Sequence, residues 1–184
     1  MASGTAEAAL GAEEAATGTA GAGKRKENNL EKDRREQTEA ETWSPEETFA
    51  LGERLGAACA PGEVYTLTGD LGTGKTVFTQ GFARGLGIEE PVNSPTFTIL
   101  QIYEEGRMPL YHFDVYRIAD AEEMDEIGYE DCLYGRGVCL IEWADLIEEI
   151  LPDSYIRVII EKDPEKGFEY RRITMEKVGA GRQK

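Results

Sequence analysis

Eight residues, Gly69-Asp70-Leu71-Gly72-Thr73-Gly74-Lys75-Thr76, fill the phosphate-binding loop pattern G-x-x-x-x-G-K-[ST] at every fixed position. Glycines let the backbone curl until successive N–H groups share one centre, and the positive end of the following helix strengthens that anion site. Lys75 is placed to reach the β- and γ-phosphates as a point charge. The Thr76 hydroxyl is placed to hold Mg²⁺. The flanks agree. Val64-Tyr65-Thr66-Leu67-Thr68 is a β-branched and aromatic run after Pro61-Gly62, which predicts a strand. Phe78, Phe82 and Leu86 recur four apart, and Gly87 is a helix stop. Strand, loop and helix in that order predict a site for a nucleoside triphosphate.

The 184 residues leave room for one domain and a tail. Residues 1–41 are rich in Ala, Gly, Glu and Thr, lack aromatics, and have two Leu as their only large aliphatic residues. Such a segment buries too little surface to offset its ordering entropy, so it is expected to be disordered. It has neither the apolar stretch of a signal peptide nor the shortage of acids of a transit peptide, and no apolar run in the chain reaches membrane-spanning length. A cytoplasmic location follows as the expectation. The ordered domain is predicted over residues 42–178, with a frayed C-terminus at 179–184.

Net charge is −16. Through Thr42 there are nine acids and six bases, leaving −13 for the folded part. Such a body repels a phosphate backbone, so extensive direct contact with nucleic acid is not expected. Cys59, Cys132 and Cys139 form no C-x-x-C pair and His112 is the sole histidine, which argues against a disulfide frame or a zinc centre.

A helix is predicted from Ser44-Pro45-Glu46-Glu47, with Ser44 as N-cap and Glu47 closing a capping box. Thr98 to Tyr103 and Leu110 to Tyr116 flank a turn at Gly106 and read as an antiparallel hairpin. Asp120 reads as the cap of a further helix, with Met124 and Ile127 facing inward. Val138-Cys139-Leu140-Ile141 reads as a buried strand, followed by a helix from Ala144 to Leu151. Late strands are expected at Tyr155–Ile160 and Tyr170–Met175. The predicted fold class is α/β: a P-loop NTPase-like, mainly parallel sheet flanked by helices on both faces, with an antiparallel hairpin.

A phosphate loop needs an acid for Mg²⁺ at the end of a neighbouring buried strand, and Glu142 fits that place. Asp114 is either a water-positioning or basic group at the γ-phosphate, or a structural carboxylate that orients Arg117 or a loop. Thr96 is either a γ-phosphate sensor or a turn residue of Ser94-Pro95-Thr96. Trp143 is either core or part of the site beside Glu142. His112 reads as a hydrogen-bonded structural residue. Arg84, Arg107, Arg117 and Arg136 are all candidates for a transition-state cation, and nothing chooses among them.

The loop, Ser94-Pro95-Thr96-Phe97-Thr98, His112-Phe113-Asp114-Val115-Tyr116-Arg117 and Ile141-Glu142-Trp143-Ala144 together strongly resemble the TsaE (YjeE) family, with order and spacing agreeing from about Thr42 to Met175. The resemblance implies a small P-loop ATPase using ATP and Mg²⁺. It implies work with TsaB and TsaD in forming N6-threonylcarbamoyladenosine beside the tRNA anticodon, with tRNA contacted only through the complex. It implies that Gly72, Thr73, Gly74, Lys75, Thr76 and Val77 contact the nucleotide and that Thr76 and Glu142 hold Mg²⁺. It also makes Asp114 and Trp143 functionally important and has Thr42 help line the site. Thr73 stands where a smaller residue is common in the family, and its side chain is expected to project away from the phosphates. The long N-terminal extension departs from the family. Two rival classes share the loop. A small-molecule kinase needs an arginine-bearing lid, for which only Gly135-Arg136-Gly137 offers itself. A GTP-operated switch needs an Asn-Lys-x-Asp segment, which the chain lacks.

Overall fold

A computed structural model of the chain describes residues 37–179. Its centre is β2 (Val64–Thr68), which pairs in parallel with both β5 (Val138–Glu142) and β6 (Tyr155–Lys162). β4 (Leu110–Asp114) joins β5 in parallel, so four central strands run the same way. Antiparallel strands finish the edges: β3 (Leu100–Tyr103) on β4, and β7 (Arg171–Val178) and then β1 (Gln37–Thr42) beyond β6. The order is β1-β7-β6-β2-β5-β4-β3.

Alternation along the central strands feeds two cores. On one face Tyr65, Leu67, Leu140 and Val158 pack with Leu51, Phe78 and Phe82 from α1 (Pro45–Ala58) and α2 (Lys75–Gly85). On the other, Val64, Phe113, Cys139 and Ile141 pack with Met124 of α3 (Glu123–Glu126), Tyr129 of α4 (Tyr129–Leu133) and Ile147. Each fully buried phenylalanine of α2 contributes about 1.5–3 kcal/mol through burial. Ser44 caps α1, its hydroxyl accepting from the Glu47 amide while the Glu47 carboxylate takes the Trp43 amide. The two long helices touch through glycine: a Cβ on Gly56 would lie 2.0 Å from the Phe82 carbonyl oxygen, and one on Gly81 would lie 2.0 Å from that of Phe49. That close approach braces α2, whose first turn carries Lys75 and Thr76. Cys59, Cys132 and Cys139 are buried free thiols, and burial pushes Cys139 up to about 12.

Three expectations change. Order begins at Gln37 instead of Thr42, because Gln37–Thr42 adds an edge strand to β7, with Ala40 packed on the core and Thr42 buried. Backbone pairing is joined by Glu41, whose carboxylate accepts from Lys166 and from the Tyr170 hydroxyl; residues 1–36 and the tail from 180 lie outside the described residues. The helix capped by Asp120 is divided into α3 and α4, separated at Gly128 with φ 74°, and the N-cap is Glu122; Asp120 instead accepts from the Glu122 amide. The segment Ala144–Ile150 is 3₁₀, not α, and breaks at Ile147 with φ −129°. Ala144, Ile147 and Ile150 all meet the core, the first two buried, and the break at Ile147 separates two short turns.

Candidate functional site

The parallel strands end together on one edge of the sheet. Leu67 is level with Glu142, and Glu142 is level with Asp114. Here a cavity of about 490 Å³ opens, walled by Gly72–Val77 on one side, Ser94, Thr96, Asp114 and Tyr116 on the other, and Glu142 and Trp143 between. Ligands of open α/β sheets bind at such carboxyl ends.

Gly72 and Gly74 have φ of 73° and 100°, a left-handed conformation that only glycine adopts without strain. The curl they allow delivers the chain into α2 at the cavity. Lys75 Nζ folds back on its own loop, donating to the Gly69 carbonyl at 2.7 Å and the Asp70 carbonyl at 3.1 Å. It also lies 3.7 Å from the centre of the Trp143 ring. Burial pushes the Lys75 ammonium below its usual range, against an opposing pull from Glu142, Asp114, Asp145 and Asp70. Trp143 has φ 63°, a costly conformation for a bulky residue, and its amide donates to the Leu67 carbonyl at 2.9 Å. That turn of the chain sets the indole between Lys75 and Tyr116 while it still packs against the edge of the core.

Thr73 is buried at the cavity wall. Its hydroxyl donates to the Asp70 carbonyl at 2.9 Å and closes the loop on itself. Asp114, also buried, binds three groups. Oδ2 accepts from the hydroxyls of Ser94 and of Thr96, the latter at 2.7 Å, and Oδ1 accepts from the Tyr116 amide. Of its two sequence-level readings, the loop-orienting one is therefore realised in this state, with the Ser94–Thr96 loop and not Arg117 as its object.

Glu142 Oε1 lies 3.0 Å from His112 Nε2 and 3.2 Å from the Thr79 hydroxyl, while Oε2 makes no hydrogen bond among the described residues. His112 is fully buried, and its Nδ1 has no partner. With one carboxylate oxygen anchored and the other open, and with Thr76 on the same cavity wall, the donor set fits a hard cation that takes oxygen ligands and completes its shell with phosphates and water. Among the described residues no group of three or more His, Cys, Asp or Glu could hold a metal.

Thr42 is the one predicted contact that stands outside the cavity wall. Its hydroxyl pairs with that of Thr48 at 2.8 Å, and Thr48 forms the wall. None of Arg84, Arg107, Arg117 and Arg136 lines the cavity. Arg107 instead holds the Gly56 and Cys59 carbonyls, and Arg117 covers the ring of Phe97 at 4.4 Å. Arg171 of β7 does line it, beside Glu169. Nothing near Arg171 in sequence announces a site, because only sheet pairing brings it there. Ser94 was within reach of sequence reading, being the hydroxyl two residues before Thr96.

The model of the family described as threonylcarbamoyl adenosine biosynthesis protein TsaE matches residues 42–173. The tRNA threonylcarbamoyladenosine biosynthesis protein TsaE of Bacillus subtilis (strain 168) is 51% identical over 138 residues, covering 75% of this chain and 84% of the relative. The protein of the same name from Treponema pallidum is 44% identical over 115 residues, covering 62% and 84%. The crystal structure of Bacillus subtilis YdiB is similar with a TM-score of 0.68 and 45% identity, covering 79% of this chain and 88% of that one.

Proposed function

The chain belongs to the TsaE family, and from that premise we propose that it acts in threonylcarbamoylation of the adenosine beside the tRNA anticodon by hydrolysing ATP. The observation that carries the reading is the convergence of the whole loop, Thr76 and Glu142 on one cavity at the strand ends. In this reading the loop amides and Lys75 bind the phosphates, and Lys75 exchanges its loop carbonyls for them. Thr76 and Glu142 hold Mg²⁺, which when bound neutralises charge on the phosphate oxygens. His112 and Thr79 keep the Glu142 carboxylate turned toward its task. Asp114 holds Ser94 and Thr96 as the second wall, where the nucleotide's outer phosphate is awaited.

Partner dependence belongs to the same proposal. The cations of the wall are Lys75 and Arg171, and Arg171 is committed to backbone carbonyls, so no side chain is left to meet transition-state charge. A cation supplied in trans raises such rates by about 10³–10⁵ in related reactions. We assign that contribution to the complex with TsaB and TsaD, and tRNA contact to the partners, since a chain of net charge −16 repels polyanions. No helix among the described residues is long and apolar enough to cross a membrane, in keeping with a place in the cytoplasm beside the tRNA machinery.

The test is steady-state ATP hydrolysis by the isolated chain and with purified TsaB, TsaD and tRNA at matched salt. Slow turnover alone and a rise on assembly is the expected result. Full turnover alone, unchanged by partners, overturns partner dependence. Absence of ATP binding overturns the nucleotide reading.

A further inference from the structure

Each carbonyl from Gly69 to Thr73 is met by a cationic side chain. Lys75 takes those of Gly69 and Asp70 from inside the cavity. From the β6–β7 side, Lys162 Nζ donates to Leu71 at 2.8 Å, and Arg171, at the rim of the cavity, donates from Nε to Thr73 at 2.6 Å and from Nη2 to Gly72 at 3.4 Å. Lys162 and Arg171 are direct cross-strand partners at the end of β6 and the start of β7. Their reach is set from behind: Arg171 Nη1 donates to the carbonyls of Phe168 and Tyr170, which use the rest of the guanidinium fork.

We propose that Lys162 and Arg171 are positioning residues, a cationic clamp that holds the phosphate loop in its ligand-ready shape before any nucleotide arrives. The N–H and C=O of a peptide unit point in opposite directions. Fixing the carbonyls of Leu71 and Thr73 therefore turns the Gly72 and Gly74 amides the opposite way, toward where a phosphate would sit, while the Thr73 amide closes the loop on the Asp70 carbonyl at 3.3 Å. When Lys75 leaves its carbonyls for a phosphate, the clamp remains and the loop keeps its curl. The clamp also sets two positive charges beside an anion site on a strongly acidic chain. A loop already ordered spends less of its binding energy on ordering, so the effect falls on affinity for phosphates.

This inference rests on the nucleotide reading above, and two measurements separate them. The first is hydrogen exchange of the loop amides in the nucleotide-free full chain. The second is calorimetric affinity for ADP and ATP. Arg171→Ala removes charge-assisted bonds, so loop amides are expected to exchange about tenfold faster and both nucleotides to bind about tenfold more weakly. Lys162→Ala, at an exposed strand end, shifts both in the same direction by less, and Arg171→Lys recovers part of the loss. Arg172→Ala, whose partner is the surface carboxylate of Glu161, changes neither. Should Arg171→Ala fail to fold, Lys162→Ala and Arg171→Lys carry the test. Wild-type exchange and affinity in these variants overturn the clamp. Faster exchange without weaker ADP binding overturns it as well. A wild-type chain that binds no nucleotide removes the functional reading, and the exchange measurement still decides whether the clamp shapes the loop.

Discussion

The two walls of the cavity are anchored in opposite ways. The wall formed by Gly69–Thr76 is held through main-chain carbonyls by cations, and it continues into a helix braced against α1. The wall formed by Ser94–Thr98 is held through side-chain hydroxyls by Asp114, with Arg117 over the Phe97 ring and the Thr98 and Ile99 amides turned onto the Pro95 carbonyl. It leads into Ile99 at φ 65°, a strained conformation for a β-branched residue, and it carries Phe97 at 84% exposure. Anchors spread over several donors keep their shape when one is lost. Hydroxyls that converge on one carboxylate share one point of release. On the proposed function, the first wall would serve as a fixed phosphate cradle and the second, whose hydroxyls converge on Asp114, as the segment that responds to the nucleotide.

The largest expected effect comes from the first wall. Lys75→Ala removes the cation that faces the cavity, and a charge-assisted contact of about 1.5–3 kcal/mol predicts ATP affinity down by 10- to 100-fold in calorimetry. An unchanged affinity would mean that the loop does not hold phosphate. Asp114→Ala tests the second wall. It should free Ser94 and Thr96, speed amide exchange over 94–99, and lower partner-stimulated hydrolysis by about tenfold while ADP affinity moves far less. Equal losses in affinity and turnover would show that the two walls are one unit and erase the contrast. Glu142 stands between them. Glu142→Gln preserves an acceptor for His112 and Thr79 but removes the charge, so Mg²⁺-dependent hydrolysis should drop several-fold with Mg²⁺-free ADP binding unchanged, read by assay with and without chelator. The smallest effect is predicted for Thr73→Ala. It deletes one neutral hydrogen bond within a loop held by many, a cost of about 0.5–1.5 kcal/mol in stability by denaturant titration, with nucleotide affinity nearly intact.

What could be read in advance divides along similar lines. The loop pattern, the Ser44 cap and the apolar run Val138–Ile141 each act within a few residues, and each appeared where expected. Glu142 was legible because a carboxylate ending a fully apolar strand has few other places to be. His112 was read as a hydrogen-bonded structural residue, and it is one; that its partner is Glu142 depends on β4 lying beside β5. The helix expected after Trp143 is present as 3₁₀ turns, and its break at Ile147 was not legible in the sequence.

The sequence by itself determined the strand–loop–helix unit, an α/β fold and the acid at the end of β5, because these follow from periodicity, glycine freedom and chain connectivity over short spans. Only the tertiary structure decided the rest. It turned Gln37–Glu41 into a strand, set Thr42 one layer behind the cavity, and carried Lys162 and Arg171 across about ninety residues of chain to the loop. The physical reason is that edge pairing joins backbone to backbone and the clamp joins distant side chains to backbone carbonyls, which are chemically alike at every residue and leave no local mark at the point of contact.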